Sequence, residues 1–420
     1  MRRGLLQEYG SKTVCVIDFG LFLSFAQTLS RDFGRVMYYN RWDSAFPETT
    51  LRCIGEGVPG VEMVEDFWPY LDEIDLFIIL DVYMGELQLH LESLGKRVWG
   101  SRRGEELETK RPHSKRLLES VGLNAGDWTE VTGMTELRAY LKGHEEQYVK
   151  ISSTRGDAET FFAKNYKNIE PRLDELAAKL GPYKEKMKYV VEAKIPDAVE
   201  VAYDGYTVDG MFPNATCFGI EAKSRGYLGH FVEYHELPEQ LIVMNAAVAP
   251  TLKRYGYRNF FAMEARITKD GVAHVIDPAC RAGSPPSEML QEMYTNLPDI
   301  FWYGGEGICI DPLPKAEWGA ELMIHATWAE QNWLEIEFPK RYAENVKLRN
   351  FCVIDGKHYV TPGAVCVGAV VATGATKEEA QETVKKIAKE LDGYTVETEP
   401  EAFDEIETEA EKLKELGITF

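Results

Sequence analysis

Paired cysteines are missing from this sequence. Its seven, Cys15, Cys53, Cys217, Cys280, Cys309, Cys352 and Cys366, are odd in number and scattered, with no Cys-x-x-Cys and no Cys/His group at zinc spacing. That excludes a disulfide framework and fits a reducing compartment, so a cytoplasmic location is expected. Long apolar runs are also missing. No window approaches the roughly 18 uninterrupted apolar residues of a membrane span. The N-terminus, Met1-Arg2-Arg3-Gly4-Leu5-Leu6-Gln7-Glu8, meets a carboxylate before a signal-peptide core could form. Positive charge is scarce: 47 Lys and Arg stand against 68 Asp and Glu, a net charge of −21, which disfavours extended duplex nucleic acid and anionic lipid as partners. The eight histidines contain no His-x-x-x-His pair. The first strand runs into Asp18-Phe19-Gly20 and lacks the GxGxxG of a dinucleotide fold. What remains is ordinary globular usage, 45% hydrophobic and 27% charged.

At about 150 residues per domain, 420 residues make two to four domains, and the texture changes twice. Residues 1–105 alternate apolar strands, Val14-Cys15-Val16-Ile17-Asp18, Val36-Met37-Tyr38-Tyr39 and Leu76-Phe77-Ile78-Ile79-Leu80-Asp81, with helical stretches. This pattern predicts a parallel sheet covered by helices. Residues 106–325 mix longer helices with alternating strands, an α+β pattern in which Pro171 is expected to start a helix ended by Gly181. Residues 326–420 form a third unit. In it a strand from Ala364 leads to a capping box, Thr376-Lys377-Glu378-Glu379, and the acidic stretch from Glu397 to Glu415 is read as a solvated amphipathic helix with Phe403, Ile406, Ala410 and Leu413 inward.

The sharpest chemical signal is a hairpin around Lys269-Asp270-Gly271. With Asp270-Gly271 as a two-residue loop, Glu264 lies opposite Asp277, and Arg266 shares their face. Two facing carboxylates repel unless a cation or proton lies between them. Spacing alone leaves the readings open: an oxygen-only divalent site of the kind Mg²⁺ takes, or else a solvated pair on an exposed face or a slipped register. Upstream, Lys150 precedes Ser152-Ser153-Thr154-Arg155-Gly156-Asp157, a polar turn able to offer donors to an anion, and Lys110 and Lys115 open the next helix back. Glu221 to His230 mixes cations with glycines, which makes Lys223 and Arg225 candidates for contact with anionic groups.

In the order Lys110, Lys150, Glu192, Glu200, Glu264, Asp277, Arg281 the chain resembles the ATP-grasp superfamily, most closely its phosphoribosylamine–glycine ligase branch. Val98-Trp99-Gly100 with Lys110 and Ser114-Lys115, the strand Val275-Ile276-Asp277-Pro278-Ala279-Cys280-Arg281, and Gly368 through Ala380 carry the likeness. The resemblance implies an ATP-grasp fold with an N-terminal Rossmann-like (pre-ATP-grasp) domain, a small lid subdomain at about 115–190, and a small C-terminal α+β domain. It implies that Lys110 and Lys150 contact ATP phosphates, with Arg155 supplementing them. Glu192, Ala193, Lys194 and Ile195 would line the adenine, and Glu200 would reach the ribose. Glu264 and Asp277 would hold Mg²⁺, for which Mn²⁺ could substitute, with Arg281, Lys150 and Lys223 catalytic. Arg225, Arg266 and Ser284 are the substrate-side candidates. The chain departs from the family where Ala279 replaces the metal-strand Asn and where only Gly156 remains of a glycine-rich phosphate loop.

The activity so implied is ATP-dependent joining of a small carboxylate, an amino acid by expectation, to an amine through an acyl phosphate. The alternatives are a phosphotransferase and a catalytically silent ATP-binding regulator. Partners are then small molecules, and homo-oligomerisation is left open.

Overall fold

The computed structural model describes residues 9–40, 49–151 and 160–420. The first strands, β1 (Thr13–Asp18), β2 (Arg35–Asn40), β3 (Glu62–Met63), β4 (Leu76–Ile79) and β5 (Arg97–Trp99), form a parallel sheet in the order β3-β2-β1-β4-β5. Both faces are buried, as continuous apolar runs require. Val14 and Val16 enter one core, and Cys15 and Ile17 enter another on the opposite face. The strand order reverses between β1 and β4, the switch point where open α/β sheets place ligands. Helices α1 (Leu23–Leu29) and α2 (Gly85–Ser93) connect these strands, and α3 (Glu106–Thr109) and α4 (Arg111–Ser120) lead out of the sheet.

A second, antiparallel sheet comprises β6 (Trp128–Thr132), β7 (Gln147–Ile151), β8 (Thr160–Ala163) and β9 (Lys188–Ala193), with helices α5 (Met134–Gly143) and α6 (Tyr166–Leu180). It has its own small core of Val131, Leu137, Val149, Leu173 and Val191. Helix α6 begins five residues before the expected Pro171. Asn165 caps it by accepting from the Asn168 amide at 3.0 Å, and this cap outweighs the start signal that proline gives; Pro171 sits inside the helix.

Among the described residues the main sheet has nine strands and contains β10 (Ala198–Val208), β11 (Ala215–Ala222), β12 (Gly226–Glu233), β13 (Arg258–Thr268), β14 (Ala273–Ala279) and β15 (Trp318–Ala326). Helices α7 (Glu239–Arg254), α8 (Ser287–Met293) and α9 (Leu297–Gly305) fall between these strands in sequence. A small three-stranded sheet holds β16 (Leu334–Ile336), β18 (Phe351–Ile354) and β19 (Lys357–Val360), while β17 (Val346–Leu348), β20 (Cys366–Gly374) and β21 (Val396–Glu397) join the main sheet through β15 and β20. Helices α10 (Lys377–Ala388) and α11 (Ala402–Glu415) complete the chain. Thr376 caps α10 through the Glu379 amide at 3.2 Å, while Glu379 returns to the amide of Ala375, one residue earlier than a capping box would have it.

The parallel sheet is fixed to the main sheet at its β5 edge. Gly100 and Arg258 exchange two backbone bonds, of 2.7 and 3.1 Å. The buried Trp99 indole donates to Asn259 at 3.0 Å and meets Phe301 edge-on at 5.1 Å. Beyond β4, the amide of Ala282 donates to the Leu80 carbonyl at 3.0 Å, so the loop after β14 docks on the switch-point edge. No helix among the described residues is long and apolar enough to cross a membrane.

Candidate active site

The β13–β14 hairpin brings Glu264 opposite Asp277, but not by the expected turn. The loop has three residues: the Thr268 amide donates to Val272 at 3.0 Å, and Gly271 adopts φ +81°, a left-handed conformation that suits glycine. That shifts the near register by one, pairing Arg266 with His274 and Ala265 with Val275. A bulge between Ala265 and Glu264 takes up the difference. The carbonyls of Val275 and Ile276 at this bulge accept from Lys115 Nζ at 3.3 and 3.1 Å, and Ala125 O adds a third bond at 3.1 Å. The bulge and the buried lysine therefore satisfy each other.

Lys115 belongs to a charged cluster between the four-stranded sheet of β6 to β9 and β14. Lys150 Nζ lies 2.7 Å from Asp277 Oδ2 and 3.3 Å from Glu192 Oε1, and Lys115 Nζ lies 3.2 Å from the same Glu192 oxygen. The buried Arg111 reaches Ile151 O at 2.7 Å beside them. Burial opposes every charge here. For Lys150 the attraction of Asp277 and Glu192 outweighs it and holds the ammonium above its ordinary pKa. Lys115, which faces Lys150 as well as Glu192, is held below its ordinary value. Asp277 overcomes burial through Lys150, Arg111 and Lys115 and is held low. Among the described residues, Lys115, Lys150 and Arg111 gather here with Asp277 and Glu192, a concentration of positive charge that can receive an anion.

The other half of the site lies on the cleft face of β10, β11 and β13. Lys223 sits among three carboxylates, 2.8 Å from Glu200, 3.1 Å from Glu221 and 3.3 Å from Glu264, and Arg266 meets Glu200 at 3.3 Å. Desolvation within the cleft opposes charge on the half-exposed Lys223, but Glu264, Glu221 and Glu200 hold its pKa well above normal. Glu200 is held low, since Lys223 and Arg266 overcome its burial. Glu264 is pushed up to about 7, first by burial and then by Glu200, Glu221 and Asp277 acting against Lys223. A carboxylate short of positive charge, facing a second carboxylate across the hairpin, fits a divalent cation. Among the described residues no group of three or more His, Cys, Asp or Glu side chains forms a preformed cage. Two carboxylates completed by phosphate oxygens and water match Mg²⁺ better than Ca²⁺.

The sign of the Glu264 shift gives a first prediction. A carboxyl raised from 4.5 to about 7 holds its proton in the folded chain over a window where the unfolded chain has lost it. Its contribution to stability is therefore present below about 4.5 and is lost as pH rises through 7. In EDTA, Glu264→Gln is expected to melt at a higher temperature than wild type at pH 8, with the difference shrinking towards pH 5. A difference independent of pH would contradict the shift.

The cleft encloses ≈ 450 Å³ and is lined by Glu200, Lys223, Glu264, Arg266, Arg281 and Ser284 among others, with Glu405, Glu409 and Lys412 of α11 as one wall. The structure thus brings Glu264, Lys223, Glu200, Arg266 and Arg281 to one cleft, with Lys150 and Glu192 joined to it through Asp277, the hairpin partner of Glu264. Ser284 lies on the wall, donating to Glu288 and accepting from the buried Arg349. Arg225 does not line the cleft; it pairs with Glu405 of the α11 wall and with Glu399, the latter at 3.8 Å. Lys110 is exposed and pairs with Glu106 at 3.2 Å, outside the cluster. The Glu192 side chain joins the lysines, whereas Ala193 and Lys194 spend their amides on Asp127 O and Glu146 O at 2.9 Å. Ile195 follows β9 in the turn to β10. Arg155 lies outside the described residues.

Sequence reasoning missed the central place of Lys115, along with Arg111, Glu108 and the α11 wall. The amphipathic spacing of 402–415 was visible, and its inward Phe403, Ile406 and Leu413 are buried, but nothing local indicates that its polar face borders a cleft.

No protein-family model matches the chain, and no curated protein sequence matches it. Solved structures do. Phosphoribosylamine–glycine ligase from Thermotoga maritima superposes with a TM-score of 0.68 at 16% identity, covering 91% of this chain and 98% of that one. The biotin carboxylase domain of Hydrogenobacter thermophilus 2-oxoglutarate carboxylase, solved with MgADP, ADP and bicarbonate, gives 0.63 at 13% identity over 92% and 91%. L-amino acid ligase from Bacillus licheniformis gives 0.59 at 16% over 92% and 99%. These proteins are ATP-grasp ligases, and the fold of this chain is the ATP-grasp fold. The resemblance carried by the sequence motifs therefore holds at the level of the fold, including the parallel N-terminal sheet and the antiparallel sheets behind it.

Proposed function

We propose that the chain is an ATP-dependent carboxylate–amine ligase. One observation supports this most: a buried cationic cluster, Lys115, Lys150 and Arg111, meets Asp277, and Asp277 pairs across the hairpin with Glu264, which lines a cleft with Arg281 and Lys223. A triphosphate needs cations around its phosphates and carboxylates beside them only if a metal is shared between the two.

In this reading the adenine lies against the end of β9, where the Ile195 amide is the donor available to it, and Glu200 accepts from the ribose. Lys150 and Lys115 neutralise the phosphates. Glu264 and Asp277 hold Mg²⁺, which when bound screens charge on the β- and γ-phosphates. A carboxylate oxygen of the first substrate attacks the γ-phosphorus. The bond to the β-phosphate oxygen breaks and ADP leaves, giving an acyl phosphate. Arg281 and Lys223 face the charge that develops on the transferred group. The amine lone pair then attacks the acyl carbon, the carbon–oxygen bond breaks, phosphate leaves, and the amine gives up its proton to form the amide. Most of the acceleration comes from positioning and charge neutralisation. The carboxylate is an amino acid in this proposal.

Hydroxylamine tests the intermediate, because it captures an acyl phosphate as a hydroxamate. With MgATP and the correct carboxylate but no amine, hydroxamate is expected in amounts matching ADP. A stable phosphorylated product in place of the hydroxamate would make the protein a phosphotransferase. Nucleotide binding with neither product across a broad panel would make it a regulator.

A further inference from the structure

We propose that Glu108 is a positioning residue of this site, a single buried carboxylate that aims Arg281 and fixes the end of the strand carrying Asp277. The inference rests on the ligase reading above. Glu108 lies in α3 and is 6% exposed. One of its oxygens accepts from Arg281 Nε at 2.9 Å, and the other accepts from the Cys280 amide at 2.8 Å. Arg281 Nη1 donates onward to Ala282 O at 2.8 Å. A guanidinium is planar, so two bonds on neighbouring edges fix its plane. Arg281 then borders the cleft between Ala279 and Gly283.

The placement of Glu108 along the chain strengthens the case. Glu108, Arg111 and Lys115 lie within eight residues of one another, and each ties a different point of the site to this run. Glu108 takes the end of β14, Arg111 takes Ile151 at the end of β7, and Lys115 takes Glu192 and the bulge carbonyls of β14. The segment leaving the parallel sheet thus sets the spacing between the phosphate cluster and Arg281. A neutral acceptor would satisfy the Cys280 amide equally well. Burying a carboxylate there is costly unless a cation answers it, and Arg281 does so at 2.9 Å.

Glu108→Gln keeps the volume and one acceptor for Cys280 but presents an N–H to Arg281 Nε–H. Equilibrium binding with Mg²⁺ should then show a non-hydrolysable ATP analogue weakened roughly tenfold, with MgADP within twofold of wild type and a lower melting temperature, because Arg281 loses its charged partner. Glu108→Asp keeps the charge and should recover part of the discrimination, and it serves as the test if the glutamine variant fails to fold. Combined with Arg281→Lys, Glu108→Gln should add little further loss, because both act through one guanidinium. A Glu108→Gln variant that prefers the ATP analogue over ADP as strongly as wild type overturns the assignment. Equal loss of both nucleotides also overturns it, by making Glu108 merely structural. Wild type that binds no magnesium nucleotide overturns the ligase reading and the assignment with it.

Discussion

Asp277→Asn is expected to lower ADP release by at least about 10³-fold, the several kcal/mol of transition-state charge stabilisation that a bound cation supplies. The substitution preserves volume and removes the charge that faces both Glu264 and Lys150. The fold should survive. Lys150 keeps Glu192 at 3.3 Å, so its ammonium is not left buried without a counter-charge, and the melting temperature should fall by only a few degrees. Nucleotide binding separates chemistry from unfolding: Mg²⁺ should strengthen ATP binding to wild type and do so much less in the variant. Wild-type turnover in Asp277→Asn would remove the metal assignment.

Lys115→Met should have the next largest effect, on binding. Its ammonium is buried and shared among Glu192, Ala125 O, Val275 O and Ile276 O at 3.1–3.3 Å. Its three N–H groups are spent on those carbonyls, so Lys115 acts on phosphate through its charge, and losing that charge costs on the order of 1–2 kcal/mol at an effective dielectric of about 20, roughly tenfold in MgATP affinity. The stranded carbonyls at the bulge should also lower the melting temperature, since each buried polar group left unpaired costs about 1–3 kcal/mol. Lys110→Met is the control. Exposed and paired with Glu106 across one helical turn, Lys110 should change affinity by less than about twofold. The opposite ranking of the two lysines would mean that the phosphate cluster is wrongly located. Titrating both variants with MgATP by calorimetry decides between them.

The contrast between these lysines shows what the sequence could and could not reveal. Strands and their pairing are short-range and periodic, so the parallel N-terminal sheet and the Glu264–Asp277 pair were legible. The pair was reached through two compensating differences, a three-residue loop and a bulge, because pairing arithmetic counts residues and does not see a bulge. Lys110 and Lys115 look alike in sequence. Which one is buried depends on Ala125, Glu192 and β14, the farthest of them more than 150 residues away. Arg225 reads as a free cation beside glycines, yet its partners Glu399 and Glu405 lie about 180 residues downstream. Glu108 had no local signal, because its meaning comes from a strand end 172 residues later. Motif order carried the fold, whereas the identities of buried ion-pair partners had to come from the structure.

The central claim is that phosphoryl transfer here serves the joining of a carboxylate to an amine. Continuous, coupled detection of ADP from MgATP, with pools of amino acids crossed against pools of small amines, tests it most directly. The account predicts ADP release that requires one member of each pool together, is lost with Asp277→Asn, and can be traced by subdividing the pools to a single amide product. ADP release that one pool supports alone without amide formation, or silence across all pools with no melting shift on adding MgATP, would contradict it.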